Sequence, residues 1–366
     1  MTRPSTAMIL TCAALLTACG DDGSANEAGS GTAGSGATAG NTDGTSAATD
    51  DPPGTSSGQA SDTESPTTGV VDSSGTGPGT DTEEETDTAG VDCTAIIPGP
   101  LAVDTIATPG MIFSDSEDIA FDGQGNLAGK SGGQIVLIDS TGTEVDSWPD
   151  QGGTYGLRYR TNGDLLAAKF MVGNIAIVNG EGNLLTNAGG VNGLYPDLDG
   201  NVWVTNFSSV RRINGDDSVD DIITGGDAGG ANGVVYDPER GILFFTGYNA
   251  GEIRAAEIAE DGSAGPVSVV SSIGGALLDG LSMDACGNLY VVDQGNSALY
   301  RVFLDEAGVA MGDAETLVAQ FPANVANAVF APAASPWGET TMYASGVPGG
   351  LYAVEIGVPG AAYALP

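Results

Sequence analysis

The sequence predicts an all-β fold: a six-bladed β-propeller with four-stranded blades, preceded by a disordered N-terminal tether. Three observations predict it. A short phrase, a polar residue followed by a small or polar one and then an apolar run, recurs at Glu117, Tyr155, Asn192, Asn232, Asp279 and Asn327, in steps of 38, 37, 40, 47 and 48 residues. Periods of that size, each holding several short apolar runs, mark propeller blades. The runs are bounded by Gly and Asn turns, and no helix-length periodic stretch competes with them.

The elements follow in order. Residues 1–18 read as an export signal: a positive start at Arg3, then an apolar run from Ala7 to Leu16 that is too short to span a bilayer. The run ends in Leu16-Thr17-Ala18-Cys19, which resembles a bacterial lipobox. That resemblance implies cleavage before Cys19 and lipid attachment there; an ordinary secretory peptide is the alternative. The lipid would hold the protein at the bacterial cell envelope, with the outer membrane or cell surface favoured over the inner membrane.

Residues 19–91 read as a disordered acidic linker almost wholly of Gly, Ser, Thr, Ala, Asp, Glu and Pro, without aromatic residues, Lys or Arg. Such a segment buries too little apolar surface to offset its ordering entropy. A neutral coil of this length would span ~45 Å. An acidic binding tail or a glycosylated stalk is the other reading.

Residues 92–366 hold the propeller. Blade five is the clearest. Gly280–Asp284 reads as the inner strand and Ala285–Asn288 as a turn; Leu289–Asp293, Ala298–Val302 and Ala314–Ala319 follow as strands. Val202–Thr205 and Ile242–Phe245 repeat the second strand in blades three and four. Leu101–Ala107 is expected to close the ring as an outer strand of blade six or blade one, removing free sheet edges. Asp197-Leu198-Asp199-Gly200-Asn201 looks like a calcium loop, but its glycine is misplaced and no glutamate closes it, so it reads as a β-turn.

The chain carries a formal charge of −38, of which residues 93–366 carry −24. So acidic a surface disfavours nucleic acid and favours cations in any central channel. Cys12 leaves with the signal and Cys19 takes lipid, so Cys93 and Cys286 remain. In an oxidising compartment such a pair is expected to form a disulfide, stapling the start of the domain to its far side.

Inner strands of a propeller run along the central channel, so the six phrase-leading residues should converge at one mouth. Two carboxylates, Glu117 and Asp279, and two amides, Asn192 and Asn232, form an oxygen-only set suited to Ca²⁺, with Mg²⁺ or Mn²⁺ as alternatives. The bland reading is that these residues cap turns. With no histidine in the chain, a Ser-His-Asp triad or histidine base is excluded, and hydrolysis would need a metal and a carboxylate.

Asp279-Gly280-Leu281-Ser282-Met283-Asp284 followed by Gly287-Asn288-Leu289-Tyr290-Val291 resembles the senescence-marker/gluconolactonase family, and equally NHL-repeat propellers. The first resemblance implies a divalent cation held by Glu117, Asn232 and Asp279, with Asn192 contacting substrate. It implies a lactone or ester hydrolase in which Asp279 or Glu117 accepts the proton. Tyr155 and Asn327 complete the ring as substrate-side positions. The family commonly places an arginine two residues before the blade-three asparagine to grip a sugar acid. This chain has Gly190 there, which puts sugar-lactone specificity in doubt. The competing class is a non-catalytic scaffold that binds an envelope partner; under either reading the propeller is expected to be monomeric.

Overall fold

Blades one, three, four and five begin with a hairpin whose turn is built by an aspartate: Asp122, Asp197, Asp237 and Asp284. In blade five Asp284 accepts hydrogen bonds from the backbone N–H of Cys286 and of Asn288, both at 2.9 Å, and from the Asn288 side chain. Asp197 does the same in blade three, with Trp203 Nε1 as a further donor at 3.0 Å. Gly200 and Gly287 hold φ near +85° and +77° at these turns, where a side chain would be strained. Every oxygen of Asp197 is thus taken by donors, and its segment is a β-turn, as expected from the sequence.

In this computed structural model the described residues are 90–366, except Gln151. The signal region 1–18, Cys19 and the linker up to residue 89 lie outside them. The hairpins build six antiparallel four-stranded sheets. Blade five runs Leu278–Met283, Leu289–Asp293, Ala298–Val302 and Glu315–Val318, within two residues of the sequence reading at each end. The other innermost strands are Ile119–Phe121, Thr154–Tyr159, Val191–Pro196, Ala231–Asp237 and Asn327–Phe330. Asp104–Ala107 pairs with Leu351–Glu355, so the ring closes in blade six.

Blades are covered on both faces by their neighbours, which explains why second strands are apolar without alternation. Leu165–Lys169, Val202–Asn206 and Leu289–Asp293 are buried along their whole length, whereas the outermost Glu144–Pro149 is largely exposed. The core accordingly lies between sheets: Trp203, Val234, Leu243 and Phe245 between blades three and four, and Tyr290, Leu299, Phe330 and Tyr352 between five and six. Among the described residues no helix is long and apolar enough to cross a membrane.

The segment before the closing strand is pinned to the same edge. Ile97 N donates to Ile356 O and Leu101 N to Leu317 O. Arg301, 1% exposed, pairs with Glu315 and donates to Ile97 O. Cys93 and Cys286 form the expected disulfide across 193 residues of sequence. Blade five adjoins the closing blade, so the staple is local in space, not a strut to the far side. Closing so long a loop restricts the unfolded chain strongly, so Cys286→Ser should lower unfolding free energy by about 2–5 kcal/mol. Denaturant titration under oxidising conditions measures this, and the same loss should appear in the wild type on reduction.

Candidate functional site

The inner strands approach one another so closely at the axis that, in four of the six phrases, a side chain is excluded from the position after the leading residue. A Cβ at Gly156 would collide with the carbonyl of Asn192, one at Gly193 with that of Asn232, and one at Gly233 with that of Asp279. At Gly280 it would strike Asn327. The glycine after Tyr155, Asn192, Asn232 and Asp279 is therefore a steric demand, and it draws the leading residues together. Two buried threonines stitch the strands at this level. Gly193 N–H donates to Thr205 Oγ1, which donates to Asn232 O; Gly233 N–H donates to Thr246 Oγ1, which donates to Asp279 O at 2.9 Å.

All six leading residues line one cavity: Glu117, Tyr155, Asn192, Asn232, Asp279 and Asn327. Its interior, about 10 Å³ open to the centre of a water-sized sphere, suits one water molecule or ion. The turn-capping alternative applies to Asn327, whose Oδ1 accepts from Ala328 N at 2.8 Å. It does not apply to Glu117, Asn192, Asn232 or Asp279, since none of these side chains accepts a hydrogen bond from a described backbone N–H.

Blade one departs from the glycine rule with Asp118. Its carboxylate accepts from Ile119 N and Leu157 N, both at 2.8 Å, and pairs with Arg158 Nη1 at 2.6 Å. This buried pair closes the mouth below. A second cavity lies deeper, at residues three further along the inner strands. It is lined by Arg158, Tyr195, Ser282 and Phe330, with Tyr363 of the C-terminal segment.

Electrostatically the mouth is under-compensated. Asp279 is 4% exposed, and its Oδ2 has no hydrogen-bond partner among the described residues. Burial, then the charge of Asp118, push its carboxyl well above the usual carboxylate range, while the neighbouring Asn232 amide tempers the rise. Burial and the nearby Asp279 and Asp118 charges push Glu117 up as well, with Lys130 acting against them. Lys130 reaches Asp150 at 3.6 Å, and Lys169 holds the same carboxylate at 2.5 Å. Among the described residues no group of three or more acidic, histidine or cysteine side chains is set for a metal. The mouth instead joins two carboxylates to amide oxygens. An orphaned buried carboxylate oxygen, an ion-sized space and oxygen-only donors all fit a hard divalent cation.

Sequence reasoning missed the threonine stitches, the Asp118–Arg158 pair and the rings of Phe170 and Phe207, which with Tyr248 form an aromatic arc above the mouth. Asp118 carried a signal, since it stands where four phrases have glycine. Phe170, Phe207 and Tyr248 carried one too, each 15 or 16 residues after a phrase begins. Lys169, Asn206 and Asp293, which end the second strands of blades two, three and five, spend their polar groups on neighbouring loops. Lys169 bonds to Asp150 and Thr154, Asn206 to Ala188 O, and Asp293 accepts from Leu277 N.

Solved structures share this fold. A gluconolactonase from Xanthomonas campestris is 18% identical, with a TM-score of 0.58 over 72% of this chain and 93% of its own. Regucalcin from Agrobacterium tumefaciens, a calcium-binding protein, is 14% identical, with a TM-score of 0.56 over 73% of this chain and 97% of its own. A luciferin-regenerating enzyme is 13% identical, with a TM-score of 0.58 over 72% and 99%. No family model and no curated protein sequence matches the chain. At such identities the likeness defines the fold alone: a six-bladed β-propeller.

Two outcomes follow. Thr246→Val keeps the shape but strands the Gly233 N–H and the Asp279 carbonyl, and should cost about 1–3 kcal/mol in denaturant unfolding. In chelator, the folded protein retains protons on Glu117 and Asp279 that the unfolded chain releases near pH 4. Their contribution is therefore most favourable below that pH and is lost as pH rises through the raised values. Asp279→Asn should flatten the resulting decline in melting temperature between pH 5 and pH 8.

Proposed function

We propose that this chain is an exported, lipid-anchored hydrolase of lactones or esters that depends on a divalent cation, Ca²⁺ first and Mg²⁺ or Mn²⁺ as alternatives. The observation that carries the reading is the buried Asp279 Oδ2, without a hydrogen-bond partner among the described residues, beside Glu117 in an ion-sized cavity. The gluconolactonase and the calcium-binding protein among the structural neighbours support it by analogy of fold.

Glu117, Asn232 and Asp279 would hold the cation. When bound, the cation supplies polarisation of a substrate carbonyl and a lowered pKa for an attacking water. With the cation keeping the carboxylates ionised, Asp279 or Glu117 would accept the proton of that water. The Asn192 amide, at the same mouth, orients the substrate, with Tyr155 and Asn327 beside it. Lactone opening turns a neutral molecule into a carboxylate, and a domain of net charge −24 favours release of that product.

Lipidation at Cys19 and a site of action at the cell envelope belong to the same proposal, with the acidic linker as the spacer. The membrane, through the lipid, and a small neutral lactone or ester are the proposed partners; the propeller is proposed to act as a monomer without nucleic acid.

The test is elemental analysis with calcium-dependent melting, followed by hydrolysis assays. Ca²⁺ at 100 times its dissociation constant should add about 2.7 kcal/mol of stability, or roughly 5–10 °C. Asp279→Asn should abolish that shift and lower kcat/KM by about 10²–10⁴-fold. A protein that takes up no divalent cation and gains no stability would overturn the proposal. Cation binding without hydrolysis would leave the scaffold reading in its place.

A further inference from the structure

We infer that the mouth selects an apolar, ring-bearing lactone or ester over a polyhydroxylated one, because an aromatic wall stands where a sugar-acid grip would have to be. The inference names the substrate class of the hydrolase proposed above and rests on that reading.

The wall is built from four rings in three blades. Tyr155, which itself lines the cavity, lies 4.9 Å from Phe170 between ring centroids. Phe170 meets Phe207 edge-on at 5.7 Å, and Phe207 meets Tyr248 at 6.0 Å. Three of these rings occupy one structural position. Phe170, Phe207 and Tyr248 directly follow the second strands of blades two, three and four. Those strands end beside the starts of the inner strands, as the pairs Thr154–Lys169, Val191–Asn206 and Ala231–Gly247 show. The rings therefore stand at the same end of the channel as the carboxylates. Burial, then the charges of nearby Asp279 and Glu117, raise the Tyr248 phenol. Each ring is half-buried, held by its neighbours and open on its remaining surface.

The arc is one-sided. The corresponding positions of blades five and six are Gln294 and Gly346. Gln294 closes the arc by accepting from Tyr248 Oη at 2.5 Å, which fixes the last ring. The wall thus offers stacking surface with few hydrogen-bonding groups. A ring-bearing acyl or lactone group can lie on it in offset or edge-on contact. A polyol placed there would leave its hydroxyls unpaired, at a cost in selectivity.

Gly190 supplies an independent argument. A Cβ at that position would come within 2.7 Å of the Phe170 ring. The ring fills the space through which a longer side chain at position 190 would reach the mouth. The missing arginine and the aromatic wall are two sides of one packing choice: a cation to grip an anionic substrate has been exchanged for an apolar surface.

The experiment compares two lactones on the Ca²⁺-loaded protein, dihydrocoumarin and glucono-1,5-lactone, with Phe207→Ala and Phe207→Leu as variants. The wild type should prefer dihydrocoumarin in kcat/KM by about 100-fold or more. Both variants should lose about 10- to 100-fold on dihydrocoumarin, mainly through KM, and little on the sugar lactone. Their calcium-dependent melting shift should be unchanged, which separates loss of the wall from loss of the fold. Equal rates on the two lactones, or variants that leave the preference intact, would overturn the inference. Equilibrium binding of 3-(2-hydroxyphenyl)propionate, the ring-opened product, is read alongside on the same proteins. If nothing is hydrolysed, binding of this ligand that weakens about tenfold or more in both variants retains the wall as a ring-binding surface while the hydrolase reading fails. No binding in that case overturns both.

Discussion

The close approach of six inner strands around one axis is the constraint on which the rest depends. It forces glycine at Gly156, Gly193, Gly233 and Gly280, because the next strand's backbone or Asn327 occupies the space a Cβ would need. It brings the preceding residues into one cavity, although Glu117 and Asn327 are 210 positions apart. It also leaves backbone groups of adjacent blades facing each other without sheet pairing, and the hydroxyls of Thr205 and Thr246 satisfy them. Blade geometry and site geometry are therefore one problem, solved at the same residues.

The electrostatic character of the mouth follows from that crowding. Carboxylates held where water is excluded, beside another acid, resist ionisation unless a partner is supplied. Asp118 has its partner in Arg158 and two backbone donors. Asp279 has none for Oδ2 among the described residues. Two aspartates a short distance apart thus serve opposite ends: one is spent on closing the channel, the other is left with unmet bonding capacity at its opening. Such an imbalance within an otherwise well-satisfied structure is the usual mark of a site that binds something.

Most of the fold was legible because propeller blades are local. A four-stranded meander closes its hydrogen bonds within about forty residues, so Leu289–Asp293 and Ala298–Val302 announce themselves by composition and flanking turns. The convergence of Glu117, Asn192, Asn232 and Asp279 was legible too, since a repeated phrase in a radial fold must place its first residue at a repeated position. The closing strand was legible only to within a choice of two blades, because Asp104–Ala107 has its partner Leu351–Glu355 nearly 250 residues away. Contacts between blades were not legible. Phe170 against Gly190, Thr246 beneath Asp279 and Asp118 with Arg158 join side chains of neighbouring repeats, and no local pattern records which of them meet.

By itself, the sequence determined the number of blades, the extent of their strands and the kinds of atom at the head of each inner strand. It did so because period and alternation are properties of short segments. Tertiary structure alone decided which of those atoms are satisfied and which are stranded, and that aromatic rings, not a cation, border them. Those outcomes depend on distances between repeats, which are set when the ring closes and the inner strands come to rest against one another.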